Sequence, residues 1–554
     1  MLRIGNCSGF YGDRLAAMRE MLEGGELDVL TGDYLAELTM LILRRDQGKD
    51  PRLGYARTFV TQLRECLTLA LDRGTTIVAN AGGVNPSGLV AAIRELAAGQ
   101  GLSPRVAWVR GDAAGGGHAY LGAFGIARAV ASGADVVVTG RVTDASLVAG
   151  PAIARYGWGR TDFDALAGAT VAGHILECGT QATGGNYAFF DEIPDLLRPG
   201  FPIAEIGPDG GSVITKHPGT GGAVTVGTVT AQLVYEVGDC RYAGPDVTTR
   251  LDTISLAQAG EDRVRVFGVR GEPPPPTLKV ARTALAGFRN AMTVVLTGLD
   301  VEAKAALFRR QFEAAAVSEP ASTTWTLARL DRPDAPTEQA SALLTVVARD
   351  PAEEPVGRAF SNTVIELALA SCPGLFATTP PGPAQPYGVF TAGFVAQETP
   401  VHEVVLDDGT AERIPAPELT RPLEPLWGSP PSGPSLPRTA QDTRRLPLGT
   451  IAGARSGDKG SDANVGLWVR DPRAYGWLSH LISEATVREL VPEAGRLPIR
   501  ISRLPNIMAV NIVIEGLLGG GAADNARFDP QAKGLGEWLR SRHVDIPVSL
   551  VEAR

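Results

Sequence analysis

Short apolar segments alternate with helical patterns in the first half of the chain, and this alternation restricts the fold more than any other sequence feature. Apolar segments of strand length stand at residues 2–4, 28–30, 75–80, 105–110 and 134–139, with helical patterns after several of them. A repeated order of strand, loop and helix is typical of a parallel sheet with helices on both faces. We therefore predict an N-terminal three-layer, Rossmann-like α/β domain.

Polar loops rich in glycine follow several of these strands, for example at residues 5–13 and 81–86. In open α/β sheets, ligands bind beyond the carboxyl ends of the strands. We therefore expect Asp33 to act as a catalytic base. The other rim residues are expected to bind substrate, and they are Asn6, Ser8, Asn85 and Arg141. The alternative is that such polar residues cap the following helices, although Arg141 is not a capping type.

The chain of 554 residues is too long for one hydrophobic core, so several domains are expected. The predicted first α/β domain covers residues 1–200, and a second α/β domain covers residues 201–413. A linker rich in proline is predicted for residues 414–447, where an extended, irregular conformation is favoured. Residues 448–554 then form a small α+β domain.

Composition excludes several classes of protein. A formal net charge of −9 argues against a general nucleic-acid binder. Five scattered cysteines without a CxxC pair are typical of a reducing cytoplasm, and six dispersed histidines give no zinc motif. The sequence contains no GxGxxG or GxxxxGK[ST] motif, no signal-peptide layout and no apolar run of transmembrane length. We expect a cytoplasmic protein that needs no cofactor or metal, binds a small molecule and forms a homo-oligomer.

Residues 455–466, RSGDKGSDANVG, combine charged and amide side chains with glycine between two apolar segments. Glycine lets a backbone approach a ligand closely and direct its N–H groups at an anion. Asp458 and Lys459 are candidate catalytic residues, and Arg455 and Asn464 are candidate substrate-binding residues. The alternative is a hairpin turn held by its own salt bridges.

Two further glycine-rich loops contain candidate site residues. His118 lies in the loop at residues 111–122 and is a candidate general acid or base, although a lone histidine is more often structural. The loop at residues 178–187 is a candidate oxyanion-binding or thioester-binding loop. Its candidate binding residues are Thr183, Gly184, Gly185 and Asn186. Cys178 has no obvious histidine partner, although His174 precedes it by one helical turn.

The loop at residues 455–466 resembles the acyclic terpene utilisation protein A family, as do residues 31–40, 178–187 and 216–224. The resemblance covers nearly the whole chain. It implies a ferredoxin-like fold for the last domain, in topology only, since that domain has no cysteine for an iron–sulfur cluster.

The resemblance also implies a role in breaking down acyclic terpenes such as citronellol and geraniol, or related branched acids. The expected chemistry is that of a lyase or hydratase acting next to the thioester carbonyl of an acyl-CoA, either a hydro-lyase or a carbon–carbon lyase. Such a reaction needs an acid, a base and donors for an enolate oxygen. The alternatives are a non-catalytic ligand-binding or scaffold subunit of an acyl-CoA carboxylase or lyase assembly, and a hydrolase, for which no GxSxG motif exists.

Overall fold

The computed structural model describes residues 1–426 and 442–552. The chain forms two compact units. The main unit comprises Met1–Arg282, Thr391–Gly519 and Gln531–Arg554, and the inserted unit comprises Thr283–Phe390 and Gly520–Pro530. The domain boundaries expected at residues 200, 413 and 447 stay predictions, and residues 427–441 of the predicted linker lie outside the described residues.

The elements are numbered in chain order. The described strands are β1 (Leu2–Asn6), β2 (Val29–Gly32), β3 (Thr76–Ala79), β4 (Val106–Arg110), β5 (Ala113–Ala114), β6 (Gly117–Ala119), β7 (Val136–Thr139), β8 (Pro202–Ile206), β9 (Ser212–Lys216), β10 (Arg241–Ala243), β11 (Thr248–Arg250), β12 (Ser255–Gly260), β13 (Arg263–Phe267), β14 (Arg270–Glu272), β15 (Thr277–Thr297), β16 (Ser322–Ala328), β17 (Ser341–Asp350), β18 (Leu375–Ala377), β19 (Gln385–Ala396), β20 (Glu403–Val405), β21 (Ala411–Arg413), β22 (Thr443–Pro447), β23 (Ala452–Lys459), β24 (Asp462–Val469), β25 (Ile499–Leu504), β26 (Ala509–Ile514) and β27 (His543–Pro547). The described α-helices are α1 (Ala17–Glu23), α2 (Glu37–Lys49), α3 (Arg57–Arg73), α4 (Pro86–Gly99), α5 (Phe124–Ala131), α6 (Ser146–Tyr156), α7 (Phe163–Leu176), α8 (Val226–Leu233), α9 (Val301–Ala315), α10 (Arg358–Glu366), α11 (Pro472–Leu481), α12 (Glu484–Leu490), α13 (Leu535–Ser541) and α14 (Val548–Val551).

The largest sheet of the main unit contains eleven of the described strands, in the order β12-β13-β9-β8-β1-β2-β3-β7-β4-β20-β21. Its centre, β1-β2-β3-β7-β4, is parallel, and antiparallel strands flank it on both sides. The predicted parallel α/β sheet is thereby confirmed. The antiparallel strands β8 and β9 come from the stretch after residue 200.

Helices cover both faces of the parallel strands because successive side chains of a strand point to opposite faces. In β2, Val29 packs into the core that contains Ile126 of α5, whereas Leu30 packs into the core that contains Phe59 of α3. Every residue of β2 is buried. The polar side chains at the ends of these strands are therefore held on a rigid scaffold.

The C-terminal part of the main unit contains four of the described strands in the antiparallel order β23-β24-β26-β25, with α11, α12 and α13 packed on the sheet. This is the spatial strand order of a ferredoxin-like sheet, except that the strand that comes last along the chain in that fold comes first here, as β23. The predicted small α+β domain is confirmed.

The predicted glycine loop at residues 455–466 is a hairpin. β23 continues to Lys459 and pairs with Asp462, which leaves only Gly460 and Ser461 in the turn. Gly460 has a φ of +68°, a conformation that favours glycine. Alternate side chains of β23 consequently point to opposite faces, so the charged residues do not gather in one loop.

The inserted unit has its own core. The second half of β15 pairs with β17 and β18, and β16 pairs with β17. Phe308 and Phe312 of α9 pack edge to face on Trp325 of β16. Within the described ranges of the chain, no helix has the length and apolar character needed to cross a bilayer.

Candidate functional site

A buried polar cluster lies at the carboxyl ends of the parallel strands, and we call it the rim cluster. Its members are Asn6, Ser8, Asp33, Asn80, Asp112, His118, Arg141 and Asp144. They come from the segments that follow β1, β2, β3, β4 and β7 and from β6. Since the strands are parallel, these segments meet at one edge of the sheet.

Asp33 is the carboxylate at the centre of the rim cluster and is 5 % exposed. Its Oδ1 accepts hydrogen bonds from Asn80 Nδ2 at 2.6 Å and from the N–H of Leu35 at 3.0 Å. Both donors are neutral. The Ser8 hydroxyl donates to the Asp33 carbonyl oxygen at 2.9 Å, which fixes the backbone after β2.

The environment of Asp33 favours its protonated form. Burial is the largest cause, and the charge of Asp144 adds to it. Arg141, Asn80 and the Leu35 N–H act in the opposite direction but do not cancel these effects, so the pKa of Asp33 lies well above its ordinary value. A carboxyl group that can hold its proton is suited to acid–base chemistry.

Arg141 is the cation of the rim cluster and is 4 % exposed. Its guanidinium donates to the carbonyl of Leu35 at 3.0 Å and pairs with Asp144 at 3.1 Å. Its Cζ lies 4.3 Å from the centre of the Tyr120 ring. The planar guanidinium of an arginine can bind a carboxylate through two parallel hydrogen bonds.

His118 of β6 forms a dyad with Asp112. His118 Nδ1 lies 2.7 Å from Asp112 Oδ2, and the same carboxylate oxygen accepts the N–H of Arg141 at 3.2 Å. Gly140 permits this contact, because a Cβ at that position would lie 2.7 Å from Asp112 Oδ1. On the other side of the ring, His118 Nε2 lies 3.4 Å from a guanidinium nitrogen of Arg44. A carboxylate at one ring nitrogen orients the imidazole and favours the tautomer with the proton on that nitrogen.

Two of the predicted substrate-binding residues hold loops of the rim through their side chains. Asn6 Oδ1 accepts the N–H of Ser8 at 2.9 Å. Asn85 is the N-cap of α4: its Oδ1 accepts the N–H of Gly88 at 3.0 Å, and its Nδ2 donates to the carbonyl of Leu53 at 2.8 Å. Asn85 therefore has the capping role that the sequence left open.

The loop at residues 178–187 uses its donors internally. The Thr183 hydroxyl donates to the carbonyls of Thr180 and Gly200 at 3.0 and 2.7 Å. The N–H groups of Gly184 and Gly185 donate to the carbonyls of Gln181 and Thr180, and the side chain of Asn186 is exposed. We therefore assign these two amides no role at a substrate oxygen.

Cys178 and His174 lie beside the rim cluster. Burial is the main cause that raises the pKa of the Cys178 thiol well above its ordinary value, and Glu177, Glu236 and Asp33 add to it. His174 Nδ1 lies 2.9 Å from Glu177. Burial disfavours the charged imidazole, but Glu177 outweighs it and the pKa of His174 is raised. A protonated thiol is a weak nucleophile, so the environment disfavours cysteine catalysis.

The charged residues of the β23–β24 hairpin bind the segment after α8. Arg455 stacks on Tyr235 at 4.4 Å and donates to Gln181 Oε1 at 2.5 Å, and Lys459 Nζ donates to the Glu236 carbonyl at 2.8 Å. On the opposite face of β23, Asp458 pairs with Lys533 at 3.2 Å.

Asn464 of β24 is completely buried in the same contact. Its Oδ1 accepts the N–H of Glu236 at 2.7 Å, and its Nδ2 donates to the carbonyl of Val237 at 3.1 Å and to Asn511 Oδ1. The structure thus brings Asp33, His118 and Arg141 together at the rim. It uses Arg455, Lys459 and Asn464 to attach the ferredoxin-like sheet to the segment after α8.

Sequence reasoning did not single out Asp112, Tyr120, Glu177 or Glu236. Asp112 directly follows β4, so its position at a strand end was the one signal that could have found it. The others are recognisable only from spatial neighbours. Across residues 1–426 and 442–552, no group of histidine, cysteine and carboxylate residues could hold a metal ion.

Two family models together match most of the chain. The model described as acyclic terpene utilisation family protein AtuA matches residues 2–117 and 116–406, and the AtuA ferredoxin-like domain matches residues 446–545. No curated protein matches the sequence. The chain therefore belongs to the acyclic terpene utilisation protein AtuA family, as its motifs predicted.

Proposed function

We propose that this protein is an enzyme that adds or removes water next to the carbonyl of a branched acyl thioester or carboxylic acid, with Asp33 and His118 as its acid–base pair. One observation carries the proposal: the charge of the buried Arg141 acts on Asp33, whose pKa is raised, and the backbone N–H of Arg141 donates to Asp112 of the histidine–carboxylate dyad. An addition or elimination beside a carbonyl requires one group that gives a proton and one that takes a proton. It also requires a positive charge or hydrogen-bond donors near the carbonyl oxygen.

The dehydration step uses the proton that the environment of Asp33 favours. His118, oriented by Asp112, acts as the base and removes the proton from C2 of a 3-hydroxyacyl substrate. The electron pair forms the C2–C3 double bond as the C3–O bond breaks, and protonated Asp33 gives its proton to the departing hydroxyl, which leaves as water. Hydration runs the same steps in reverse, so Asp33 then acts as the base expected from the sequence.

Arg141 would stabilise the negative charge that develops on the carbonyl oxygen or hold a substrate carboxylate. Its burial strengthens that interaction, since few water molecules compete for the guanidinium. The family is named for acyclic terpene utilisation, which supports a branched, apolar acyl chain as the substrate class. The proposed reaction is that of a hydro-lyase, and a carbon–carbon lyase reaction at the same site is the alternative. The proposed substrate is an acyl-CoA or the free acid.

The proposal is tested by mass spectrometry of the purified protein with branched 3-hydroxyacyl and 2,3-unsaturated acyl-CoA thioesters and the free acids. We expect the gain or loss of one water. Asp33→Asn and His118→Gln should each slow turnover by about 10²–10⁴-fold. Matched controls, Asp72→Asn and His543→Gln at exposed positions, should leave turnover unchanged.

A second candidate function is a non-catalytic acyl-binding subunit. The observation that favours it is the hairpin, whose cations are bonded to the segment after α8. Saturable thioester binding without turnover of any substrate would favour this function. Loss of one acetate-sized fragment, in place of water, would keep the site and change the reaction to a carbon–carbon lyase.

A further inference from the structure

A cavity of about 520 Å³ lies in the main unit, apart from the residues assigned to the reaction. Its size falls in the range of about 300–1,000 Å³ that small-molecule sites occupy. The segment after β6 separates it from the rim cluster: Tyr120 stacks on Arg141, whereas the next two residues, Leu121 and Gly122, line the cavity.

The walls of the cavity are largely apolar. They include Leu121, Pro245, Leu278, Pro400, Ile414 and Pro415. Proline has no backbone N–H, so these positions offer few hydrogen-bond donors to a ligand. The walls therefore suit a hydrocarbon body.

Four charged residues line this space. Arg413 and Glu398 are exposed, whereas Arg160 and Asp246 are half-buried. Arg160 lies 4.1 Å from the Phe124 ring centre, and its Nη2 donates to the Pro415 carbonyl at 2.5 Å. Its Nη1 is 3.6 Å from Asp246, which is longer than a hydrogen bond. Within the described chain, Arg160 thus makes one hydrogen bond, although a guanidinium has five N–H donors.

Asp246 balances the positive charge of the Arg160 guanidinium only in part. Its other carboxylate oxygen accepts the N–H of Ala123 at 2.6 Å. Burial is the main influence on both members of the pair: it lowers the pKa of Arg160 and raises that of Asp246, in each case against the charge of the partner. Burial and the Arg160 charge also lower the pKa of His402 to about 4, so this wall residue is neutral at pH 7 and adds no cation.

We propose that this cavity is a second ligand site, separate from the rim cluster, that binds an apolar small molecule through a carboxylate held by Arg160. An anionic group is favoured because Arg160 is a half-buried cation with N–H donors to spare, and a bidentate carboxylate matches its fork. The apolar walls take the body of the molecule.

The test measures binding of octanoate and of its neutral isostere octanamide to the full-length protein by isothermal titration calorimetry. We expect saturable octanoate binding that is at least tenfold tighter than octanamide binding. Arg160→Gln should weaken octanoate binding at least tenfold. Arg94→Gln, which removes an arginine on α4 outside the cavity, should leave it unchanged.

A second variant keeps the proposal testable if Arg160→Gln does not fold. Leu278→Trp fills the cavity and should abolish octanoate binding. Absence of saturable binding, equal affinity for octanoate and octanamide, or binding that neither variant changes would overturn the proposal. Asp33→Asn separates the two sites: it should stop turnover and leave octanoate binding intact, whereas loss of octanoate binding in Asp33→Asn alone would place the ligand at the rim and refute a second site.

Discussion

Replacing the buried amide Asn464 by leucine should release the ferredoxin-like sheet from the segment after α8. Asn464 accepts the Glu236 N–H at 2.7 Å and donates to the Val237 carbonyl and to Asn511 Oδ1. Leucine has as many side-chain heavy atoms as asparagine but none that is polar, so the change removes the hydrogen bonds. Its methyl groups are bulkier than the amide, and Asn511→Leu carries the same added volume at a neighbouring buried position.

The expected cost follows from the groups left without a partner. In Asn464→Leu, the Glu236 N–H and Asn511 Oδ1 lose their partners, while the Val237 carbonyl still accepts from Asn511 Nδ2 at 2.9 Å. Each unsatisfied buried group costs about 1–3 kcal/mol, so the loss is roughly 2–6 kcal/mol. Asn511→Leu should cost only about 0.5–1.5 kcal/mol, because Asn464 keeps both of its backbone partners.

Amide hydrogen exchange followed by mass spectrometry measures this loss locally, at peptides that cover β24 and β26. A loss of roughly 2–6 kcal/mol corresponds to exchange that is about 30-fold to 10⁴-fold faster. Asn362→Leu, at an exposed position of α10, is the control. If Asn464→Leu accelerates exchange in β24 no more than Asn511→Leu does, the unsatisfied-group argument is wrong.

Three other predictions concern the rim and the loops behind it. Because burial raises the pKa of Asp33, the native state binds its proton more strongly than the unfolded chain, so the free energy of unfolding should fall as pH rises above about 4; urea titrations should show this fall weakened in Asp33→Asn. Gly82→Ala should destabilise by about 1–3 kcal/mol because its Cβ would lie 2.5 Å from the Thr139 carbonyl oxygen, whereas Gly99→Ala, with open space around it, should not destabilise; thermal unfolding compares the two. The Cys178 thiol, whose pKa is raised, should react with iodoacetamide at pH 7.5 at least tenfold more slowly in the native than in the urea-unfolded protein, as peptide mass spectrometry would show; equal rates would contradict the raised pKa.

The parallel sheet could be predicted because its strands are buried on both faces and therefore appear as short apolar runs between helical patterns. The rim position of Asp33 and Arg141 followed from the same rule, since parallel strands carry their carboxyl ends to one edge. The inserted unit could not be found this way. Residues 520–530 join it from far along the chain, and no local pattern records such a contact.

The hairpin at residues 455–466 shows where pattern analysis reaches its limit. Its glycines and charges are compatible with a ligand loop and equally with a tight turn, and local sequence does not decide between them. The decision is made by Tyr235 and Glu236, which lie more than two hundred positions earlier and supply the surfaces that Arg455 and Lys459 contact. A side chain already bonded to the protein loses those bonds if it turns to a substrate.

Asp33 and Asp458 were equal candidates for the catalytic base from the sequence. They differ in how far neighbouring cations balance the charge of each carboxylate. Asp458 is partly exposed and has the ammonium of Lys533 at 3.2 Å, an arrangement that stabilises the carboxylate and serves attachment. Asp33 is buried and accepts hydrogen bonds from the Asn80 side chain and the Leu35 N–H, which are both neutral. Burial and the charge of Asp144 outweigh the charge of Arg141, so the pKa of Asp33 is raised. Burial of a charged carboxylate costs free energy. A carboxyl group that therefore favours its proton, beside Arg141 and the His118 dyad, supports the proposed role of Asp33 in proton transfer more than the compensated Asp458 does.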